Sequence, residues 1–156
     1  LKLRVPDHAF TAALLHDVGK IVLGTFVQVD VQEIINCAFE KMISFDAAER
    51  EILGVDHAEV GGMLLEKWDL PNELVDIIRY HHHPSSTEPD TVTDLVHMTD
   101  AYCLMSGDGL GMDGLHYHCC NEAANRLGIT SRIGEQLLSK IDEASSEIQD
   151  LMDLAG

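Results

Sequence analysis

The heptapeptide Leu14-Leu15-His16-Asp17-Val18-Gly19-Lys20 decides how this chain is read. It places an imidazole, a carboxylate and an amine within about one helical turn, inside a segment that is otherwise apolar. Around it, Ala9, Phe10, Ala13, Leu14, Val18, Ile21, Val22 and Phe26 recur at helical rather than alternating spacing. That spacing predicts one helix from His8 to Val27, entered through Pro6 and Asp7, with Gly24 as its weak point.

The same period continues outward. Asp30 caps a helix with Glu33 at the capping-box position, and Ile34, Ile35, Ala38, Met42 and Phe45 form its apolar face. Ser44 or Asp46 opens a short helix through Ile52-Leu53 that Gly54 stops. Asp56 caps the next, with Glu59 three residues on. Its inner stripe reads as Val60, Met63, Leu64 and Trp68, and Gly61-Gly62 lets a neighbouring helix backbone come close. Asp69-Leu70-Pro71 is a helix-to-helix turn, with Pro71 in the first turn of a helix that runs through Leu74, Val75, Ile77 and Ile78 into Tyr80-His81-His82-His83-Pro84. Pro84–Asp90 reads as a loop, Thr91–Met105 as a helix, and the glycine-rich Ser106–Gly114 as a mobile connection. Leu115–Leu127 and Arg132–Leu154 are the predicted closing helices. No stretch has the pattern of a strand, a repeat or a domain boundary. The expected fold is all-α: a single-domain helical bundle over 1–156, of about seven or eight helices joined by short loops.

A chain of 156 residues, 46% apolar and 24% charged, can bury one sizeable core. Its formal net charge of −17 repels phosphate backbones and anionic lipid, so neither nucleic-acid nor membrane-surface binding is expected. An anionic ligand would need a local cation, from Lys, Arg or a metal. Cys37, Cys103, Cys119 and Cys120 form no CxxC pair, which argues against a disulfide framework and a cysteine zinc site. Buried free thiols in a reducing compartment are expected. With no leader pattern and no apolar run of about 18 residues or more, the expected location is cytoplasmic.

Nine histidines are many for this length, and their positions carry the chemistry. Imidazole and carboxylate together suit Fe, Mn, Ni, Co or Zn. His16 and Asp17 diverge by about 100° on a helix and can share an ion lying above the seam between them. The two oxygens of Asp17 can also bridge two ions, and Lys20 lies one turn away. His57 directly follows its cap Asp56. His81 and His82 stand at a helix C-terminus, and Asp100 lies mid-helix in an apolar segment, where an unpaired carboxylate is costly. Each feature has a plainer reading. Histidines at helix ends are commonly caps or surface residues, imidazolium suits a helix C-terminus, and Asp100 can pair with Lys or Arg. Those readings need a separate explanation for each of the four segments, whereas one metal site accounts for all of them. His8, His97, His116 and His118 follow no such pattern and read as surface or core residues, and His83 is the member of its run expected to face solvent.

Laid out in order, the words Leu14–Lys20, Val55-Asp56-His57-Ala58-Glu59-Val60-Gly61, Trp68–Pro71, Ile78–Pro84 and Leu95-Val96-His97-Met98-Thr99-Asp100-Ala101 resemble the HD superfamily of metal-dependent phosphohydrolases. More closely, the chain resembles the HDOD domain, a bacterial signalling relative, from Ala9 to Leu127. The resemblance implies an all-α fold. It implies that His16, Asp17 and Asp100 match metal-binding positions, and that His57, His81 and His82 match the extra histidines of dinuclear members. Lys20 matches the lysine that sits near the phosphate. The implied chemistry is metal-assisted hydrolysis with Asp17 and Lys20 as catalytic groups, one or two divalent ions (Fe, Mn, Ni or Zn), and a phosphorylated small molecule or nucleotide as ligand.

Two departures shape the expectation. The superfamily's first ligand is a histidine on an upstream helix that this chain does not contain, and no Gly-Tyr-Pro follows His83-Pro84, so cyclic-di-GMP hydrolysis is not implied. The expected function is therefore bacterial signal transduction by a domain with a divalent-metal site, regulatory or weakly active, working with signalling protein partners. The alternative is an active phosphohydrolase or phosphodiesterase. A domain lacking its N-terminal helices is also expected to expose apolar surface and to self-associate as a homo-oligomer.

Overall fold

The computed structural model describes residues 5–27, 30–107 and 116–155. These hold nine helices and no strand: α1 (Ala9–Leu15), α2 (Val18–Phe26), α3 (Val31–Lys41), α4 (Phe45–Leu53), α5 (His57–Lys67), α6 (Asn72–Tyr80), α7 (Thr91–Ser106), α8 (Asn121–Leu127) and α9 (Ser131–Ala155). The all-α bundle is as expected.

The expected single helix over 8–27 is two, and the break is at His16-Asp17 rather than Gly24, which stays helical inside α2. The cause is local. His16 Nδ1 bonds the Ala13 carbonyl at 2.8 Å, satisfying one of the carbonyls left over at the end of α1. Asp17 then leaves helical geometry, with φ −97° and ψ 10°, as the residue that opens α2. The bend lets both side chains leave the helix surface and turn into the bundle. The expected absence of a long apolar run is also corrected. Ala9–Phe26 is 18 residues with mean hydropathy 1.2, enough by length and composition to cross a membrane, although the bend divides it. Its outer side exposes Phe10, Leu14, Ile21 and Phe26.

Caps fall largely where the sequence puts them. Asp30, Asp56 and Asp90 accept from the backbone N–H groups of Gln32, Glu59 and Thr93. For Asp30 the donor is Gln32, because the Glu33 N–H bonds the Asp30 carbonyl instead. Gly54 ends α4 at φ 79°, in the left-handed region that costs a glycine little.

The inner face of α5 differs from the expected stripe. Trp68 and Met63 are exposed, and Ala58, Gly61, Gly62 and Leu65 face inward. Small residues win this face because α2 and α6 pack against it at backbone distance. A Cβ at Gly61 would lie 2.8 Å from Ile78 Cγ2, and a Cβ at Gly19 only 1.9 Å from the His57 carbonyl oxygen. Leu65, Val75, Ile77, Ile78, Val92 and Val96 complete the core around Ala12. The predicted helix from Leu115 starts late, at Asn121. Residues 117–120 stay out of the helix because Tyr117 and the Cys120 N–H bond side chains of other segments. The glycine-rich connection falls mostly on 108–115, outside the described residues. The cysteines are free, as expected, and partly rather than fully buried. α8 is tied down by Arg126, which grips the buried Asp94 carboxylate of α7 through two bonds of 2.7 and 2.6 Å.

Gly19→Ala should therefore force α2 off α5 and destabilise by about 1–3 kcal/mol, lowering Tm by roughly 3–10 °C in thermal unfolding. Gly24→Ala, where a Cβ meets nothing within 4 Å, should leave Tm unchanged or raise it slightly.

Candidate metal centre

The bend between α1 and α2, the start of α5, the end of α6 and the middle of α7 meet at one point. His57, His81 and His82 form one group of nitrogen ligands, and His16, His81 and Asp100 form a second. Within each group the ligand atoms lie within 4.8 Å of one another, and His81 belongs to both. Asp17 stands between the groups. Its Oδ1 is 3.3 Å from His57 Nε2 and 4.0 Å from His81 Nε2, and its Oδ2 is 3.4 Å from His16 Nε2 and 3.0 Å from Lys20 Nζ. Asp100 Oδ1 is 3.6 Å from His16 Nε2. The structure thus brings together all of the sequence-expected residues: His16, Asp17, Lys20, His57, His81, His82 and Asp100.

The far nitrogen of each imidazole is tethered, and this sets which nitrogen faces the centre. Nδ1 of His16 bonds the Ala13 carbonyl, Nδ1 of His81 the Ile78 carbonyl at 2.6 Å, and Nδ1 of His57 the Glu49 carboxylate at 2.5 Å. Each acceptor takes a proton from Nδ1, so Nε2 is presented inward, the arrangement that orients imidazole ligands at metal sites. His16 Nε2, His81 Nε2 and Asp17 Oδ1 are buried and make no well-formed hydrogen bond among the described residues; His16 Nε2 meets Asp17 and Asp100 at 3.4 and 3.6 Å, and Asp17 Oδ1 meets His57 and His81 at 3.3 and 4.0 Å. Leaving such atoms dry and unpaired is costly. A divalent cation would satisfy all three, and the imidazole and carboxylate donors suit one.

The electrostatics agree. Burial works against a charged His16, but Asp100 and Asp17 outweigh it and push its pKa up to about 10. Burial likewise opposes charge on His57, yet Asp17 and Glu49 bring it up to about 9. Burial would also raise Asp17, but its ion pairs with His16 and His57 hold it far below the usual carboxylate range. His81 goes the other way, down to about 3, through burial and the neighbouring His57 charge. Without an ion, three carboxylates (Asp17, Asp100, Glu49) are thus balanced by Lys20 and two imidazolium groups. A divalent ion that displaces those two protons leaves the balance unchanged.

Three participants escaped the sequence reading. Glu49 is buried on α4 and holds both the ring and the backbone N–H of His57. His97 is buried, bonding the His81 carbonyl through Nδ1 at 2.8 Å and accepting the Cys120 N–H at Nε2. The Tyr117 hydroxyl lies 2.7 Å from His82 Nδ1 and 3.2 Å from His97 Nδ1. His97, expected in the surface or core, is thus a core support beneath the site. A cue existed for Glu49 in its place four residues before the Leu53-Gly54 stop, on the inward side of a short helix. None existed for Tyr117, which reaches the site from an irregular segment. His83 is outward as expected, with its Nε2 3.1 Å from buried Asp46.

A family model for the HDOD domain matches residues 1–84. The chain belongs to the HDOD family. Among solved structures, an HDOD domain protein of unknown function from Geobacter sulfurreducens aligns with a TM-score of 0.67 at 22% identity, over 93% of this chain and 52% of that one. A candidate phosphohydrolase from Shewanella amazonensis SB2B aligns with a TM-score of 0.53 at 22% identity, over 88% of this chain and 55% of that one. At these identities the likeness shows the fold. An uncharacterized protein of Treponema pallidum (strain Nichols) is 27% identical over 75 residues, 48% of this chain and 15% of that protein. The chain thus spans about half the length of the solved relatives and far less of the Treponema protein. The HDOD match takes in His16, Asp17, Lys20, His57, His81 and His82, while Asp100, His97 and Tyr117 lie beyond it.

Because His16 and His57 both carry protons near neutrality, metal uptake by this HDOD domain should release about two protons and weaken steeply as pH falls. Calorimetry in buffers of different ionisation enthalpy measures that number directly. Tyr117→Phe, which removes the hydroxyl shared by His82 and His97, should weaken metal binding by about 10-fold with little change in Tm.

Proposed function

We propose that this HDOD domain binds one or two divalent ions at His16, Asp17, His57, His81, His82 and Asp100, and uses that centre to hold a phosphorylated small molecule or nucleotide in a regulatory, signal-transducing role. The observation that carries this reading is the set of three buried atoms, His16 Nε2, Asp17 Oδ1 and His81 Nε2, that converge without a well-formed hydrogen bond to satisfy any of them. The sharing of His81 between two ligand groups, with Asp17 offering one oxygen to each side, supports two ions. A bound divalent ion would supply Lewis-acid stabilisation of charge on phosphate oxygens.

The chain's own residues then divide the work. Asp17 supplies the ligand oxygens and keeps Lys20 in place through their 3.0 Å contact. The Lys20 ammonium, one helical turn beyond the bend, adds positive charge where ligand phosphate oxygens would lie. Glu49, through His57, and the Ile78 carbonyl, through His81, hold the rings in register so that no reorganisation is needed on binding.

Hydrolytic turnover is the second reading, and the position of Lys20 beside Asp17 favours it, since a cation there can take up charge that develops on a phosphoryl group.

Metal analysis after reconstitution with Mn, Fe, Ni or Zn, joined to assays on phosphomonoesters, cyclic dinucleotides and (p)ppGpp-like nucleotides, separates the readings. Stoichiometric uptake that Asp17→Ala weakens by at least about 100-fold, with ligand binding and negligible turnover, is the expected result. Turnover at ordinary enzymatic rates, lost in Asp17→Ala, would replace the regulatory reading with the hydrolytic one. Failure to take up any of the four metals would sink both.

A further inference from the structure

A cavity of about 180 Å³ lies between α2, α3 and α4, beside the metal cluster. Leu23, Ile34, Ile35 and Leu53 make its walls aliphatic. Lys20 and Glu49 are the only lining side chains with hydrogen-bonding groups among the described residues, and both are engaged elsewhere. Lys20 holds Asp17 at 3.0 Å, and Glu49 holds the His57 ring.

These two residues and Phe45 belong to both places. The Phe45 ring lines the cavity, lies 6.4 Å from the His57 ring and has the Lys20 ammonium 5.9 Å from its centroid. The cavity therefore begins where the charged centre ends. A phosphate drawn to Lys20 and the ligand cluster has its ester oxygen next to an apolar opening.

We propose that this cavity is the subsite for the ester arm of the phosphorylated ligand, and that the arm is a short hydrocarbon chain rather than a nucleoside or a sugar. Chemistry and size both select it. A base or a sugar carries several polar groups, and the walls would strip them of water without offering partners in return. The space is smaller than the roughly 300–1,000 Å³ that drug-sized ligands occupy, so the arm is short. An aliphatic arm removes apolar wall and ligand surface from water together, while the phosphate keeps the cationic end. This assignment rests on the metal-and-phosphate reading of the cluster.

The test is calorimetric titration of the Mn-loaded chain with straight-chain alkyl phosphates from methyl to dodecyl, with AMP and ribose 5-phosphate as polar comparisons. Affinity should tighten by roughly fourfold for each methylene added, then level off when the cavity is full. AMP and ribose 5-phosphate should bind no better than methyl phosphate. In Gly24→Leu the new side chain starts from a position lining the cavity where a Cβ meets nothing within 4 Å. That variant should keep its melting temperature and metal content, while its affinity for the longer phosphates drops to the methyl phosphate level. A flat series in the unmodified chain, a gradient that survives Gly24→Leu, AMP binding tighter than hexyl phosphate, or affinity still climbing at dodecyl would each overturn the subsite. Metal content and methyl phosphate binding report on the underlying metal reading, and the dependence on chain length reports on the subsite alone.

Discussion

The contact between Gly19 and the His57 carbonyl governs this molecule. No side chain fits between the two backbones at Gly19, so α2 and α5 meet there backbone to backbone, and Gly61 opposite Gly19 makes room from the other side. That approach sets the position of the first residues of α2 against the first residues of α5. Asp17 and His57, some forty positions apart in sequence, are left with Oδ1 and Nε2 3.3 Å apart. The glycine in the opening heptapeptide thus belongs to the site as much as its histidine and aspartate do, although it contributes no atom to it.

Around that contact the polar groups form a layered arrangement. The innermost atoms are imidazole Nε2 nitrogens and carboxylate oxygens. Behind them stand the acceptors that fix the rings: two carbonyls at helix ends and Glu49. Behind those again, His97 braces the His81 carbonyl and shares the Tyr117 hydroxyl with His82. The helix ends are essential here. Carbonyls near a C-terminus lack intrahelical partners, so the Ala13 and Ile78 oxygens are free to accept from imidazoles. Sites of this kind are cheap to build at helix ends and costly in the middle of a helix.

Much of this was legible in the sequence. Helical periodicity and the capping aspartates gave the all-α bundle, and residue type alone marked His16, Asp17, His57, His81, His82 and Asp100. What was not legible follows from physics that periodicity does not encode. The break at His16-Asp17 comes from a side chain competing for a backbone carbonyl, and an apolar pattern that continues smoothly through the bend conceals it. The exposure of Trp68 and Met63 comes from the preference of a close helix crossing for small residues, which a count of apolar positions reverses. Glu49 and Tyr117 are visible only once tertiary contacts place them, because a lone glutamate or tyrosine carries no spacing signal.

The cluster is also stitched from distant parts of the chain. Five of its six candidate ligand residues come from the first 84 residues, the stretch that the HDOD match covers, while Asp100 and the props His97 and Tyr117 come from later segments. A cation held there would therefore close loops as a cross-link does, with its largest leverage on the unfolded ensemble, where those segments are far apart. An ion held only by the finished arrangement adds its binding free energy to folding. The centre would then serve as a fastener between the two portions of the chain, and the docking of α7 would become sensitive to the supply of metal in the surroundings.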